Sequence, residues 1–180
     1  MDALREKSTD RDVLGHCEAL NLVVSATKAR TSVVLYFAFG SNLDFRQMRS
    51  RCSSAVTITT ASLLNHKLAF TRFAASRGGG VADIPPSEGD RVEGVIYEIG
   101  DDDAFRLDEF EGVAEECYER KQLRLTLPAG EIIEAFAYKA LEQGEFAPST
   151  AYIGHLISGA KYHGLSPEYI AMLEAIKTAD

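Results

Sequence analysis

An α+β domain is the fold class this sequence predicts, and three observations carry it. Segments rich in β-branched and aromatic residues follow one another with only turns between them. One acidic stretch of helical periodicity, GDDDAFRLDEFEG, is inserted among them, and two amphipathic stretches close the chain. Strands adjacent in sequence, with helices inserted and appended, argue against a doubly wound parallel sheet. At 180 residues the chain has single-domain length and can bury a core without disulfides or metals.

The elements follow in order. Residues 1–30 form an N-terminal arm that the pattern leaves open. Val13, Cys17 and Leu20 recur at helical spacing, so the arm is either a short amphipathic helix or a poorly ordered appendage to a domain spanning 31–180. From Ser32 the run SVVLYFAF reads as a buried strand. It ends in Gly40-Ser41-Asn42, after which LDFRQM carries helix-start signals. Asp44 with Gln47 has the form of a capping box, and Leu43 with Met48 that of its hydrophobic staple. Strands are expected at Ala55–Leu63 and Lys67–Phe73, loops at Ser76–Gly80 and Pro85–Asp90 around a short VADI segment, and a strand at Val92–Ile99. Gly94 within that strand marks a bulge or a close approach.

The GDDDAFRLDEFEG helix has an acidic start that suits a helix N-terminus and a C-terminal glycine, Gly112. Tyr118–Leu127 and Glu131–Tyr138 read as strands turned by Pro128-Ala129-Gly130. A helix from Ser149 to Gly164 should bury Ile153, Leu156, Ile157 and Ala160. A last helix, with Ser166 as cap and Pro167 at its first position, should bury Tyr169, Ile170, Leu173 and Ile176.

Composition narrows the function classes. Asp and Glu number 27 against 19 Lys and Arg, a formal charge of −8, with no basic stripe. Nucleic-acid binding rests on neutralising phosphates, so it is not expected. The three cysteines make no metal-finger spacing and read as reduced thiols of a cytoplasmic protein. No apolar run reaches the roughly 20 residues that span a bilayer, so no membrane association is expected. The pattern leaves a homodimer open.

Two features could carry chemistry. On the middle helix Ala104, Leu107, Asp108 and Glu111 share a face, and Leu107, Phe110 and Glu111 again share a side. That turns Glu111 toward the core edge, where desolvation would raise its pKa toward the range a general base needs. Pattern alone is equally met by a half-exposed glutamate bending outward. The Gly40-Ser41-Asn42 turn offers backbone N–H groups at a helix start, suited to a carboxylate or an oxyanion, though an ordinary strand-to-helix turn has the same form. The glycine triplet Gly78–Gly80 lacks the GK[ST] ending of a phosphate loop and reads as flexible loop. His16, His66, His155 and His163 form no metal-ligand pair; the last two read as solvated helix residues. Ser41 lacks the GxSxG elbow. Tyr118 and Tyr152 read as core aromatics with a hydroxyl at the surface.

Four stretches in sequence resemble one family. YFAFGSNL (Tyr36–Leu43) is similar to the YFAYGSNL signature of the γ-glutamylcyclotransferases. LDEFEGV followed by Tyr118, then GGVADI with PSEGDRVEGVIYEI, and PSTAYIGHLISGAKYHGLSPEY resemble that family's acidic helix, central strands and closing helices. The likeness spans residues 33–177. It implies a small closed mixed β-barrel with helices outside and no metal or cofactor. It also implies a small-molecule γ-glutamyl substrate whose α-amine attacks its own γ-carbonyl, giving 5-oxoproline and a free amino acid or amine. By motif, Glu111 would be the catalytic acid/base. Tyr36, Phe37, Ala38, Phe39, Gly40, Ser41 and Asn42 would line the glutamyl pocket, with Tyr118 and Tyr152 beside them.

Phe39 stands where the family usually has tyrosine, so one signature hydroxyl is missing. Specificity for the leaving amine is expected in the Ser76–Gly80 and Pro85–Asp90 loops. Two other readings share the motifs: a non-catalytic module binding γ-glutamyl or carboxylate ligands, and a cyclase for a γ-glutamylated biosynthetic intermediate.

Overall fold

The computed structural model describes residues 32–180. The arm expected over residues 1–30, with its Val13, Cys17 and Leu20 pattern, lies outside the described residues. The elements are β1 (Val33–Ala38), α1 (Phe45–Arg51), β2 (Val56–His66), β3 (Ala69–Ala74), β4 (Gly79–Asp83), β5 (Pro86–Gly100), α2 (Asp101–Glu111), β6 (Tyr118–Thr126), β7 (Ile132–Ala140), α3 (Thr150–His163) and α4 (Pro167–Glu174), with a 3-10 turn at Ser41–Leu43.

Five strands close into a barrel in the order β1-β5-β2-β6-β7. Four of the pairings are antiparallel; β1 and β7 meet in parallel at Tyr36 and Phe136 and complete the ring. The fold is the α+β mixed barrel with helices outside that the sequence resemblance implies. Closure leaves these strands no unpaired edge. In the second half of β5, Val92, Val95, Ile96, Tyr97 and Ile99 are all buried. Burial on both faces explains why Val95, Ile96 and Tyr97 are consecutive apolar residues instead of alternating with polar ones. Gly94 is a close approach: a side chain there would run into the Phe37 ring and the Ala38 carbonyl. It pairs in register with Ala61, and the register shifts of β2 against β5 lie elsewhere, at Thr57–Thr59 and Leu64–His66.

β3 and β4 form a separate two-stranded ribbon. Buried Asp83 ties it to the barrel, accepting hydrogen bonds from the Thr71 hydroxyl (2.8 Å) and the Ala140 amide (3.0 Å). Here two loop expectations fail. Gly79 and Gly80 are buried strand residues. A Cβ at Gly79 would sit 2.7 Å from the Ala147 carbonyl, and one at Gly80 would sit 2.7 Å from the Phe146 carbonyl, so the glycines admit a crossing chain rather than confer flexibility. The segment expected as a Pro85–Asp90 loop is the exposed start of β5, with His66 paired to Pro86 and Leu64 to Arg91. Its irregular look reflects Gly89, at φ 82°, which donates to the Asn65 side chain.

The helix boundaries follow their punctuation. Gly112 and Gly164 end α2 and α3 in the left-handed region, and the side chains of Ser149 and Ser166 cap α3 and α4. Ile153, Leu156, Ala160, Tyr169 and Leu173 are buried as the periodicity predicts, while Ile157, Ile170 and Ile176 are only half-buried. On α2, Leu107 faces the core, but Phe110 is 58% exposed, so the side expected to join Leu107, Phe110 and Glu111 is split by the helix surface. Among the described residues, no helix is long and apolar enough to cross a membrane.

Candidate active site

The apolar run of β1 delivers the chain to the barrel mouth, where Gly40 turns it. A Cβ at Gly40 would lie 3.2 Å from the Ala82 side chain and 3.4 Å from the Tyr152 hydroxyl, so the turn packs tightly on both. Leu43 N–H donates to the Gly40 carbonyl (2.9 Å) and Asp44 N–H to the Ser41 carbonyl (3.1 Å), closing the turn. Asp44 then caps α1, accepting from the Arg46 and Gln47 amides. The capping box is only half made. The Gln47 side chain reaches the site instead, donating to the Ser41 hydroxyl (2.8 Å) and the Asn42 side-chain oxygen (3.3 Å), and accepting from Arg77 (2.9 Å).

From the other side comes α2. Its last residue, Glu111, places Oε1 3.1 Å from Arg51 Nη1 and 3.3 Å from Asn42 Nδ2, with the glutamate and arginine side chains only 16% and 13% exposed. Glu111 therefore faces inward, and the outward-bending alternative is excluded. Among the described residues only Oε1 is hydrogen-bonded, so Oε2 is uncommitted where the residue lines the cavity. Burial raises the Glu111 pKa above the usual carboxylate range; Arg51, Asn42 and Arg77 oppose the rise without cancelling it. Asn42 is the hub. It is buried, its amide donates to the Tyr36 hydroxyl (2.9 Å), and its oxygen also accepts from Arg51 (2.9 Å).

A small chamber lies over this network, walled by Tyr36, Phe39, the Gly40–Asn42 turn, Glu111, Tyr118 and Tyr152. It shares Ser41, Glu111, Tyr118 and Tyr152 with a larger outer cavity of about 310 Å³. The Tyr152 hydroxyl accepts from the Ala82 amide (3.0 Å), and burial pushes its pKa up to about 12. Burial likewise raises Tyr36 and Tyr118 well above ordinary tyrosine, so all three are neutral donors at physiological pH.

Of the residues expected to line a pocket, the structure gathers Tyr36, Phe39, Gly40, Ser41, Asn42, Tyr118 and Tyr152 around Glu111. Phe37 and Ala38 are not in the wall. Phe37 is fully buried, facing Gly94 and, at 6.1 Å between ring centres, Phe39; Ala38 is buried where β1 crosses β5. Ser76 and Arg77 line the outer cavity, but no residue of the Pro85–Asp90 stretch does. His155 and His163 are not free in solvent. His155 pairs with Asp44 at 2.7 Å, and His163 meets the Tyr97 hydroxyl at 2.9 Å. Among the described residues no cluster of three or more His, Cys, Asp or Glu could hold a metal.

Sequence reasoning missed Arg51, Arg72 and Arg77, and saw Gln47 only as a capping residue. Arg51 and Gln47 are visible as polar residues one turn apart on a short helix next to the turn. Nothing in the sequence pairs position 51 with position 111.

The closed mixed barrel with helices outside is shared with solved structures. A solved structure titled gamma-glutamyl cyclotransferase superposes with a TM-score of 0.80 at 32% identity, covering 83% of this chain and 90% of that one. The profile of the AIG2-like family matches residues 91–173. The gamma-glutamylcyclotransferase of Mus musculus is 35% identical over 147 residues, 79% of this chain and 78% of that protein. That of Homo sapiens is 33% identical over 150 residues, 81% and 80% of the two chains. The chain belongs to the gamma-glutamylcyclotransferase family.

Proposed function

We propose that this protein is a γ-glutamyl cyclotransferase, with Glu111 as its general acid/base. The observation that carries the reading is a carboxylate of raised pKa, with one oxygen uncommitted, facing the Gly40-Ser41-Asn42 turn across a small chamber. Family membership supplies the reaction class, and the residues of this chain account for its steps.

The substrate's α-amine is mostly protonated at neutral pH, since such groups titrate near 8. Glu111, a stronger base than an ordinary carboxylate, takes that proton. The freed amine attacks the γ-carbonyl carbon, forming the lactam C–N bond and a tetrahedral oxyanion. As the intermediate collapses, the original amide C–N bond breaks. Glu111 gives its proton to the departing nitrogen, which would otherwise leave as an unstable anion. It then takes the second proton from the ring nitrogen and passes it to the released amine, so the ring ends as a neutral lactam and the amine as its ammonium form. The products are 5-oxoproline and an amino acid or amine; no proton is gained or lost overall beyond ordinary ionisation.

Because the reaction is intramolecular, the protein's main task is to hold the bent conformer, and orientation of this kind is worth up to about 7–11 kcal/mol. The narrow chamber between Tyr36, Phe39, Tyr118 and Tyr152 fits that task. Backbone N–H groups of the turn and the neutral tyrosine hydroxyls are the donors at hand for the glutamyl carboxylate and the oxyanion.

Purified protein incubated with γ-glutamyl amino acids and amines should release 5-oxoproline, detected by chromatography. Glu111→Gln should lower kcat by about 10²–10⁴-fold, the usual range of acid–base catalysis, with little change in substrate affinity. Normal turnover by that variant would remove Glu111 from the mechanism, and absence of 5-oxoproline from every substrate would overturn the reading as a whole.

A further inference from the structure

Part of the outer cavity's lining is not used by the cyclisation itself. Arg72, on β3, donates to the Leu141 carbonyl (3.1 Å) and to the Cys117 sulfur (3.0 Å). Arg77 donates to Gln47, and its guanidinium lies 5.9 Å from the Tyr152 ring centre. Both line the outer cavity, both are partly buried, and neither has a carboxylate partner among the described residues. In a chain of charge −8, two guanidiniums with no carboxylate partner among the described residues stand on one cavity wall, the donors that a carboxylate ligand would need.

The same cavity exposes two phenylalanines. Phe73 on β3 is 50% exposed and Phe110 on α2 is 58% exposed, and both belong to its lining. Each ring is braced rather than loose: Phe73 lies 5.7 Å from Phe146, and Phe110 carries the Arg51 guanidinium at 4.9 Å. Rings fixed in place but left half in water gain most from an apolar ligand. A second carboxylate on the ligand would instead meet Glu109 and Glu111, which line the cavity too, and a cationic side chain would meet the arginines.

We infer that the outer cavity is the leaving-group subsite and selects an amino acid with a large apolar side chain, its carboxylate held by Arg72 and Arg77 and its side chain lying on Phe73 and Phe110. This rests on the cyclotransferase reading and deepens it. The volume of about 310 Å³ is at the lower end of the range for small-molecule sites and accommodates one such residue. Amines without the carboxylate leave the guanidiniums unmatched, and small amino acids leave the rings in water.

The test compares three substrates, γ-glutamylphenylalanine, γ-glutamylalanine and γ-glutamylphenethylamine, by kcat/KM for 5-oxoproline release and by calorimetric binding to the same protein. The phenylalanine compound should exceed each of the others by about tenfold or more, the scale on which pockets discriminate a few methylenes or a lost polar partner. Phe73→Ala should narrow the first ratio and Arg77→Gln the second. Equal or inverted ratios in the unsubstituted protein would overturn the inference, as would a Phe73→Ala variant with the first ratio intact. An Arg77→Gln variant that loses both ring-bearing substrates equally would assign that arginine to the glutamyl carboxylate and overturn its role here. If none of the three compounds is turned over, the wider panel of γ-glutamyl amino acids and amines decides the cyclotransferase reading. The binding order then decides the subsite alone, with tighter binding of the phenylalanine compound upholding it and any other order rejecting it.

Discussion

Glu111 and Arg51 form an ion pair at 3.1 Å, yet the carboxylate is still a stronger base than one in water. Desolvation outweighs the attraction, so the arginine tempers a pKa that burial sets.

The pH profile should report this balance. In kcat/KM the acid limb follows protonation of Glu111 and should lie above the ordinary carboxylate range. Arg51→Gln removes a nearby positive charge that favours the ionised form, so the Glu111 pKa rises and the acid limb moves to higher pH. A pH–rate series on both proteins checks this; an unmoved or downward limb contradicts the balance.

The same shift has a stability consequence of fixed sign. A carboxyl whose pKa is raised in the folded state binds its proton more tightly there than in the unfolded chain. Its contribution is fully present below the unfolded value, near 4.3, and is lost as pH rises through the folded value. At pH 7 an ionised Glu111 is therefore a cost. Glu111→Gln should raise the denaturation midpoint at pH 7 and lose that advantage below about pH 4, where the glutamate is protonated in both states. Thermal melts across this range read it directly.

Gly159 of α3 faces the Leu43 backbone and side chain so closely that a Cβ there would overlap both. Gly159→Ala should push α3 off the turn. A loss of about 1–3 kcal/mol, typical of overpacking, is expected in chemical denaturation, together with a fall in activity larger than the stability change accounts for. Wild-type turnover in a folded Gly159→Ala variant would show that the turn does not need its support.

How much of this was legible follows from the range of each interaction. The caps of α2, α3 and α4 are local, and Gly112, Gly164, Ser149 and Ser166 mark them in the sequence. The inward Glu111 was half legible: the helix was clear, but its neighbour Phe110 turned out to be exposed. Gly79 and Gly80 misled because a glycine that admits a crossing chain looks the same as one that bends a loop. Arg51, sixty residues from Glu111, joins the site only through the closed barrel. Pairing at that distance leaves no periodic trace.

Arg77 also has an effect beyond charge. A guanidinium can only donate, so Arg77 fixes the oxygen end of Gln47, which must present its nitrogen to Asn42. Gln47 and Arg51 both donate to the Asn42 oxygen, which turns the Asn42 nitrogen toward Tyr36 and Glu111. The Tyr36 oxygen therefore accepts from Asn42, which leaves its own hydrogen to point into the chamber. Two arginines at the rim thus give the hydrogen-bond circuit one polarity, and it ends in a phenolic proton offered to whatever oxygen arrives.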